Sequence, residues 1–172
     1  MKNLVLVGFM GSGKSAVGRR IAERLGLTFI DMDAEIERAA GRKIADIFAQ
    51  EGESYFRFLE RREAMKLAQR QDLAIATGGG VVLDPDNLKD FRKTGVVVCL
   101  FVDGETAFER TKRATHRPLL KSDDPRRRLE ELLAKRQPLY QQIENVVDTR
   151  GRSIETIVED VIRIYHGSEA AH

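Results

Sequence analysis

Eight residues near the start of the chain, Gly8-Phe9-Met10-Gly11-Ser12-Gly13-Lys14-Ser15, match G-x-x-x-x-G-K-[ST] at every fixed position. The short apolar run Leu4–Val7 precedes them, and helical spacing through Val17, Ile21 and Leu25 follows. Glycines let successive backbone N–H groups wrap a phosphate closely. The helix that follows turns its unpaired N–H groups and positive dipole end toward the same anion. Gly11, Ser12, Gly13, Lys14, Ser15 and Ala16 are therefore the expected triphosphate contacts, with Lys14 bridging the β- and γ-phosphates and the Ser15 hydroxyl on Mg²⁺. ATP and Mg²⁺ are the expected cofactors. The alternative is a glycine-rich turn that matches by chance.

Two carboxylates come next. Asp31 and Asp33 follow the strand-like Thr28–Ile30, and residues two apart in an extended segment point the same way. Both can then face the crevice at the strand ends, where ligands bind in open parallel sheets. Side-by-side anions repel unless a cation or a substrate hydroxyl separates their roles. Asp31 is assigned to the Mg²⁺ shell, and Asp33 to an acceptor hydroxyl as hydrogen-bond acceptor and candidate base. A plain helix cap, Asp33 before Ala34–Ala40, is the competing explanation for one of them. The third strand-like run, Leu73–Ala76, ends not on an acid but on Thr77-Gly78-Gly79-Gly80, whose bare N–H groups suit a hydroxylated or anionic substrate.

Three arginines stand in distinctive settings. Arg57 precedes Glu60 by three residues, so a helical pair can hold its guanidinium. Arg117 leads Arg-Pro-Leu-Leu, and Arg136 opens Arg-Gln-Pro-Leu-Tyr. Singly, each reads as a surface charge. With Ile44-Ala-Asp-Ile-Phe48 and Gly52-Glu-Ser-Tyr-Phe-Arg57-Phe-Leu-Glu60, the ordered set closely resembles the shikimate kinase family, from Leu4 to about Ile164. The glycine loop is generic; the order of the remaining motifs is specific.

That resemblance implies ATP-dependent phosphorylation of the 3-hydroxyl of shikimate, giving shikimate 3-phosphate and ADP. It implies that Arg57 and Arg136 hold the shikimate carboxylate, as planar guanidinium forks do well. It further implies that Asp33, Gly79 and Gly80 contact the substrate, that Phe48 and Phe56 wall its ring, and that Arg117, on a closing lid, meets the transferred phosphoryl with Lys14. Arg110 and Arg152 are implied at the adenine. The implied fold is a three-layer α/β/α P-loop NTPase fold resembling nucleoside-monophosphate kinases. Residues 1–166 would form its single domain, with a substrate-binding insertion at about 32–60, a mobile lid at about 112–124 and a frayed tail from Gly167. The resemblance also suggests a monomer.

The elements that must position these residues alternate along the chain. Strand-like runs at Leu4–Val7, Thr28–Ile30, Leu73–Ala76, Val96–Val102 and Asn145–Val147 are separated by helical patterns, which predicts a parallel sheet of about five strands covered on both faces. The 172 residues fit one domain, and 29 basic against 27 acidic residues leave no global charge for binding nucleic acid. Arg126-Arg127-Arg128 reads as a solvated helix face. The single cysteine, Cys99, fits a reducing compartment, and neither a leader peptide nor a membrane span is expected, so a cytoplasmic protein is. Rival readings are a gluconate or nucleotide kinase, a regulatory GTPase and an inactive binding module. The GTPase lacks Asn-Lys-x-Asp, the nearest run being the scrambled Asn87-Leu-Lys-Asp90, and intact Lys14, Asp31, Asp33 and Arg117 weigh against the module.

Overall fold

In the computed structural model, which describes residues 1–112 and 120–169, five strands form one wholly parallel sheet in the order β2-β3-β1-β4-β5. The strands are β1 (Asn3–Val7), β2 (Thr28–Asp31), β3 (Leu73–Ala76), β4 (Gly95–Phe101) and β5 (Val146–Asp148). The helices are α1 (Lys14–Leu25), α2 (Met32–Ala40), α3 (Ile44–Glu51), α4 (Glu53–Ala68), α5 (Pro85–Thr94), α6 (Gly104–Thr111), α7 (Pro125–Tyr140) and α8 (Ile154–Glu169). A 3₁₀ turn at Val81–Leu83, which apolar periodicity does not signal, follows the triple glycine.

Alternation along the strands builds two cores. Val5, Val7, Ile75, Val97 and Cys99 face one side, where α2 to α5 and α7 pack. Leu4, Leu6, Ala74, Val96, Val98 and Leu100 face the other, against α1 and α8. This is the expected three-layer arrangement.

Register then decides what meets at the carboxyl edge. Leu6 pairs with Ala76, and Ala76 pairs with Asp31, so the ends of β1, β3 and β2 lie in one row. Neighbouring strands are about 4.8 Å apart, which sets the glycine loop, the triple glycine and Asp31 side by side. The segment 32–60 folds as α2, α3 and the first half of α4 over the same edge. Asp84 caps α5 through Asp86 N at 3.0 Å, and Asp124 caps α7 through Arg127 N at 3.1 Å.

Strand ends shift by at most a residue from the sequence reading, and two boundaries differ in ways that matter. The chain turns into α2 at Met32, one residue after the strand, so Asp31 and Asp33 do not share an extended segment. The last helix runs through Glu169, beyond the Gly167 expected to begin a frayed tail, because Ser168 Oγ donates to Tyr165 O at 2.6 Å and Lys2 Nζ to Ser168 O at 3.2 Å. No helix among the described residues is long and apolar enough to cross a membrane.

Candidate active site

The phosphate loop leaves β1 in a conformation that only glycine takes easily. Gly8 has φ +148°, and a Cβ there would lie 2.5 Å from the Leu100 carbonyl oxygen. The loop closes through Ser12 N donating to Phe9 O at 3.2 Å, and Gly13 is the N-cap of α1. Lys14 Nζ lies over the loop, donating to Gly8 O at 2.6 Å and Phe9 O at 3.1 Å. Arg110 Nη1 donates to Gly11 O at 2.9 Å and Thr149 Oγ1 at 3.2 Å, which fixes its guanidinium at the flank of the loop.

Ser15 Oγ donates to Asp31 Oδ2 at 3.1 Å, so a hydroxyl and a carboxylate stand together below the loop. These are hard oxygen donors of the kind Mg²⁺ takes, and the pair fits the expected metal shell. Asp31 Oδ1 also accepts from Ala34 N at 3.2 Å. The helix cap is therefore Asp31, not Asp33. Asp33, in the first turn of α2, reaches the same crevice through the helix and not through strand alternation.

The triple glycine owes its composition to what packs on it. At Gly80 an added Cβ would lie 2.4 to 2.6 Å from Nη1, Nη2 and Cζ of Arg57, so the guanidinium rests directly on the bare Cα. An added Cβ at Gly79 would stand 3.3 Å from Arg136 Nη1, and one at Gly78 would stand 2.8 Å from Asp33 Oδ1 and 3.1 Å from Glu60 Oε2. Three consecutive residues without side chains thus gather two guanidinium and two carboxyl groups contributed by α2, α4 and α7. The sequence suggested that these glycines offer N–H groups to a ligand; the structure gives them a further reason to be glycine.

Arg57 is held by Glu60 at 2.8 Å and Glu53 at 3.2 Å, both on its own helix. Glu60 is only 1% exposed, and burial raises its carboxyl above the ordinary glutamate range, with Arg57 opposing and Asp33 adding to the rise. Its Oε2 has no hydrogen-bond partner among the described residues. Arg136 is 3% exposed, and burial lowers its pKa. No described carboxylate forms a salt bridge with it; its neighbours are Phe9, Tyr140 and the like charge of Arg57, with Glu53 and Glu60 as opposing charges beyond salt-bridge reach. Phe48 and Phe56 meet at 5.0 Å between ring centroids and close one wall.

These residues line one crevice of about 890 Å³, which also takes in Met10, Lys43, Ile44 and Asp46. That is room for a nucleotide and a small acceptor together. Of the sequence-derived residues, Gly11, Gly13, Lys14, Ser15, Ala16, Asp31, Asp33, Phe48, Phe56, Arg57, Gly79, Gly80, Arg110 and Arg136 line it. Ser12, itself part of the loop, is buried. Arg152 stands apart, held by Asp148 O at 3.0 Å and Asp160 Oδ2 at 2.5 Å. Arg117 lies outside the described residues.

Sequence reasoning treated Glu60 only as a partner for Arg57, although its place on the stripe of Phe56, Ala64 and Leu67 signals burial. It gave no role to Tyr140, the end of the Arg-Gln-Pro-Leu-Tyr motif, whose hydroxyl donates to Gly79 O. It also missed Asn87, which is fully enclosed. The Asn87 carboxamide donates to Val81 O at 3.0 Å and accepts from Arg61 Nη1 at 3.2 Å, tying α4 and α5 to the turn after the glycines. No spacing in the sequence marks Asn87.

A parallel sheet carrying a phosphate loop, with a basic acceptor pocket at the same edge, defines a P-loop phosphotransferase for a small hydroxylated anion. The shikimate kinase family model matches residues 10–166. A shikimate kinase from Thermodesulfovibrio yellowstonii is 45% identical over 165 residues, covering 96% of this chain and 95% of the relative. A structure of shikimate kinase from Acinetobacter baumannii in complex with shikimate superposes with a TM-score of 0.92 at 37% identity, covering 98% of this chain and 94% of that one. A gluconokinase from Sinorhizobium meliloti shares the fold, with a TM-score of 0.62 at 20% identity. The chain belongs to the shikimate kinase family.

Proposed function

We propose that this protein transfers the γ-phosphoryl group of ATP to the 3-hydroxyl of shikimate, and that Arg57 and Arg136 grip the shikimate carboxylate. The observation that carries the reading is Arg136: a buried guanidinium in the crevice, beside a second guanidinium, in salt bridge with no described carboxylate and opposed only by the more remote Glu53 and Glu60. A buried cation of this kind calls for an anion, and a carboxylate matches the guanidinium fork. The gluconate alternative is disfavoured, since the gluconokinase likeness reaches the fold alone.

Each group then has a task in the reaction. Lys14 and the loop N–H groups bind the triphosphate, and Ser15 and Asp31 would hold Mg²⁺, which when bound neutralises phosphate charge. Asp33 orients the acceptor hydroxyl and can take its proton, while the arginine pair fixes the ring so that this oxygen faces the phosphoryl group. Little covalent help is needed, because positioning and charge neutralisation lower the barrier to phosphoryl transfer. Phe48 and Phe56 keep water from the acceptor side. Arg110 steadies the loop at the nucleotide end, and Arg117 is assigned to the transferred phosphoryl from a lid at about 112–124. The reading includes a cytoplasmic monomer.

ADP release measured with shikimate and with gluconate tests this, together with Asp33→Asn. Turnover with shikimate alone is expected. Asp33→Asn is expected to lose most turnover while ATP binding, read by calorimetry, stays close to wild type. Turnover with gluconate alone, or full activity in Asp33→Asn, contradicts the reading.

A further inference from the structure

Gly79 and Arg136 come from different parts of the fold, yet one side chain touches both. Tyr140 lies one helical turn after Arg136 on α7, so the two side chains share a face. Its ring is buried, and its hydroxyl donates to Gly79 O while the Arg136 guanidinium stands beside it. Pro138 sits between them in the last turn of the helix. Proline has no N–H to donate back along the helix, so backbone bonding alone holds this end less tightly.

The bond to Gly79 O has a geometric consequence. No described peptide bond is cis, and in a planar trans peptide the C=O and the following N–H point to opposite sides. A hydroxyl that holds the Gly79 carbonyl therefore fixes the direction of the Gly80 N–H, away from Tyr140. The same bond sets how far the end of α7 approaches the triple glycine, and with it the reach of Arg136. Burial raises the Tyr140 phenol, so it stays protonated and donating at neutral pH.

We infer that Tyr140 is a positioning residue for acceptor binding: its hydroxyl registers the Arg136 helix against the triple glycine and aims the Gly80 N–H. The inference rests on the shikimate reading above. The Tyr140 hydroxyl bonds to the triple glycine and not to the phosphate loop, so its main effect is expected on the acceptor.

Steady-state kinetics of Tyr140→Phe test it, with Tyr165→Phe as the control. Tyr165 is also a buried tyrosine, and its hydroxyl donates to Lys2 O at 2.7 Å on the opposite face of the sheet. In Tyr140→Phe the shikimate KM is expected to rise about fivefold to tenfold, as for one lost hydrogen bond, with kcat within about twofold and the ATP KM unchanged. Tyr165→Phe is expected to lower the melting temperature and leave both KM values alone. A wild-type shikimate KM in Tyr140→Phe, or an equal rise in both KM values, overturns the inference while leaving the proposed reaction standing. Wild-type protein that does not phosphorylate shikimate overturns both.

Discussion

Gly80 shows how far a single missing atom can reach in this site. The Arg57 guanidinium occupies the space a Cβ would need, approaching it to 2.4 Å. Gly80→Ala should therefore push Arg57 off its seat without touching the phosphate loop. The expected outcome is a shikimate KM raised about tenfold or more, equivalent to at least one charged hydrogen bond of about 1.5–3 kcal/mol, with nucleotide affinity intact. Titrating each ligand separately by calorimetry checks it. Glu60 carries a pH signature. A carboxyl raised on folding is more protonated in the native than in the unfolded chain, so stability falls as pH rises from the ordinary glutamate range through the native value. Glu60→Gln removes that slope. Urea denaturation between pH 4 and 8 should show the variant gaining stability relative to wild type toward the upper end, and parallel profiles would contradict it. Cys99 is the third case: burial lifts its thiol to about 11. A thiol reagent at pH 8 should leave it unmodified in the native protein and react once denaturant is added.

At the scale of elements, the site depends on ties that bring separate helices to one turn. Asn87 links the 3₁₀ turn, α4 and α5 through a buried carboxamide. Asn87→Ala leaves Val81 O without that donor and should cost about 1–3 kcal/mol of stability, measured by chemical denaturation. The strands and most helices were legible in the sequence, because period-2 and period-3.6 patterns report directly on which face is buried. The short segment after Ile30 was not. Asp31 ends the strand and caps the helix at once, and the two-residue spacing to Asp33 suited an extended chain equally well. Both aspartates still reach the crevice, through a geometry other than the one the spacing implied. Arg57–Glu60 was readable because an i,i+3 pair is local. Tyr140 to Gly79 spans 61 residues and could not be read from spacing at all.

The whole molecule is a parallel sheet whose carboxyl edge carries a generic nucleotide half and a specific acceptor half. The nucleotide half was visible in one motif. The acceptor half is assembled from α2, α3, α4, α7 and the triple glycine, so no single stretch of chain announces it, and only the ordered combination of motifs pointed there. Two guanidiniums, Arg57 and Arg136, are proposed to select the acceptor through its carboxylate. Comparing phosphorylation of shikimate with that of its methyl ester, in wild type and in Arg136→Ala, tests this most directly. Wild type is expected to discriminate against the ester by about 30-fold to 100-fold in kcat/KM, the value of one or two charged hydrogen bonds, and Arg136→Ala to lose most of that discrimination. Equal kcat/KM for acid and ester in wild type, or undiminished discrimination in Arg136→Ala, would contradict it.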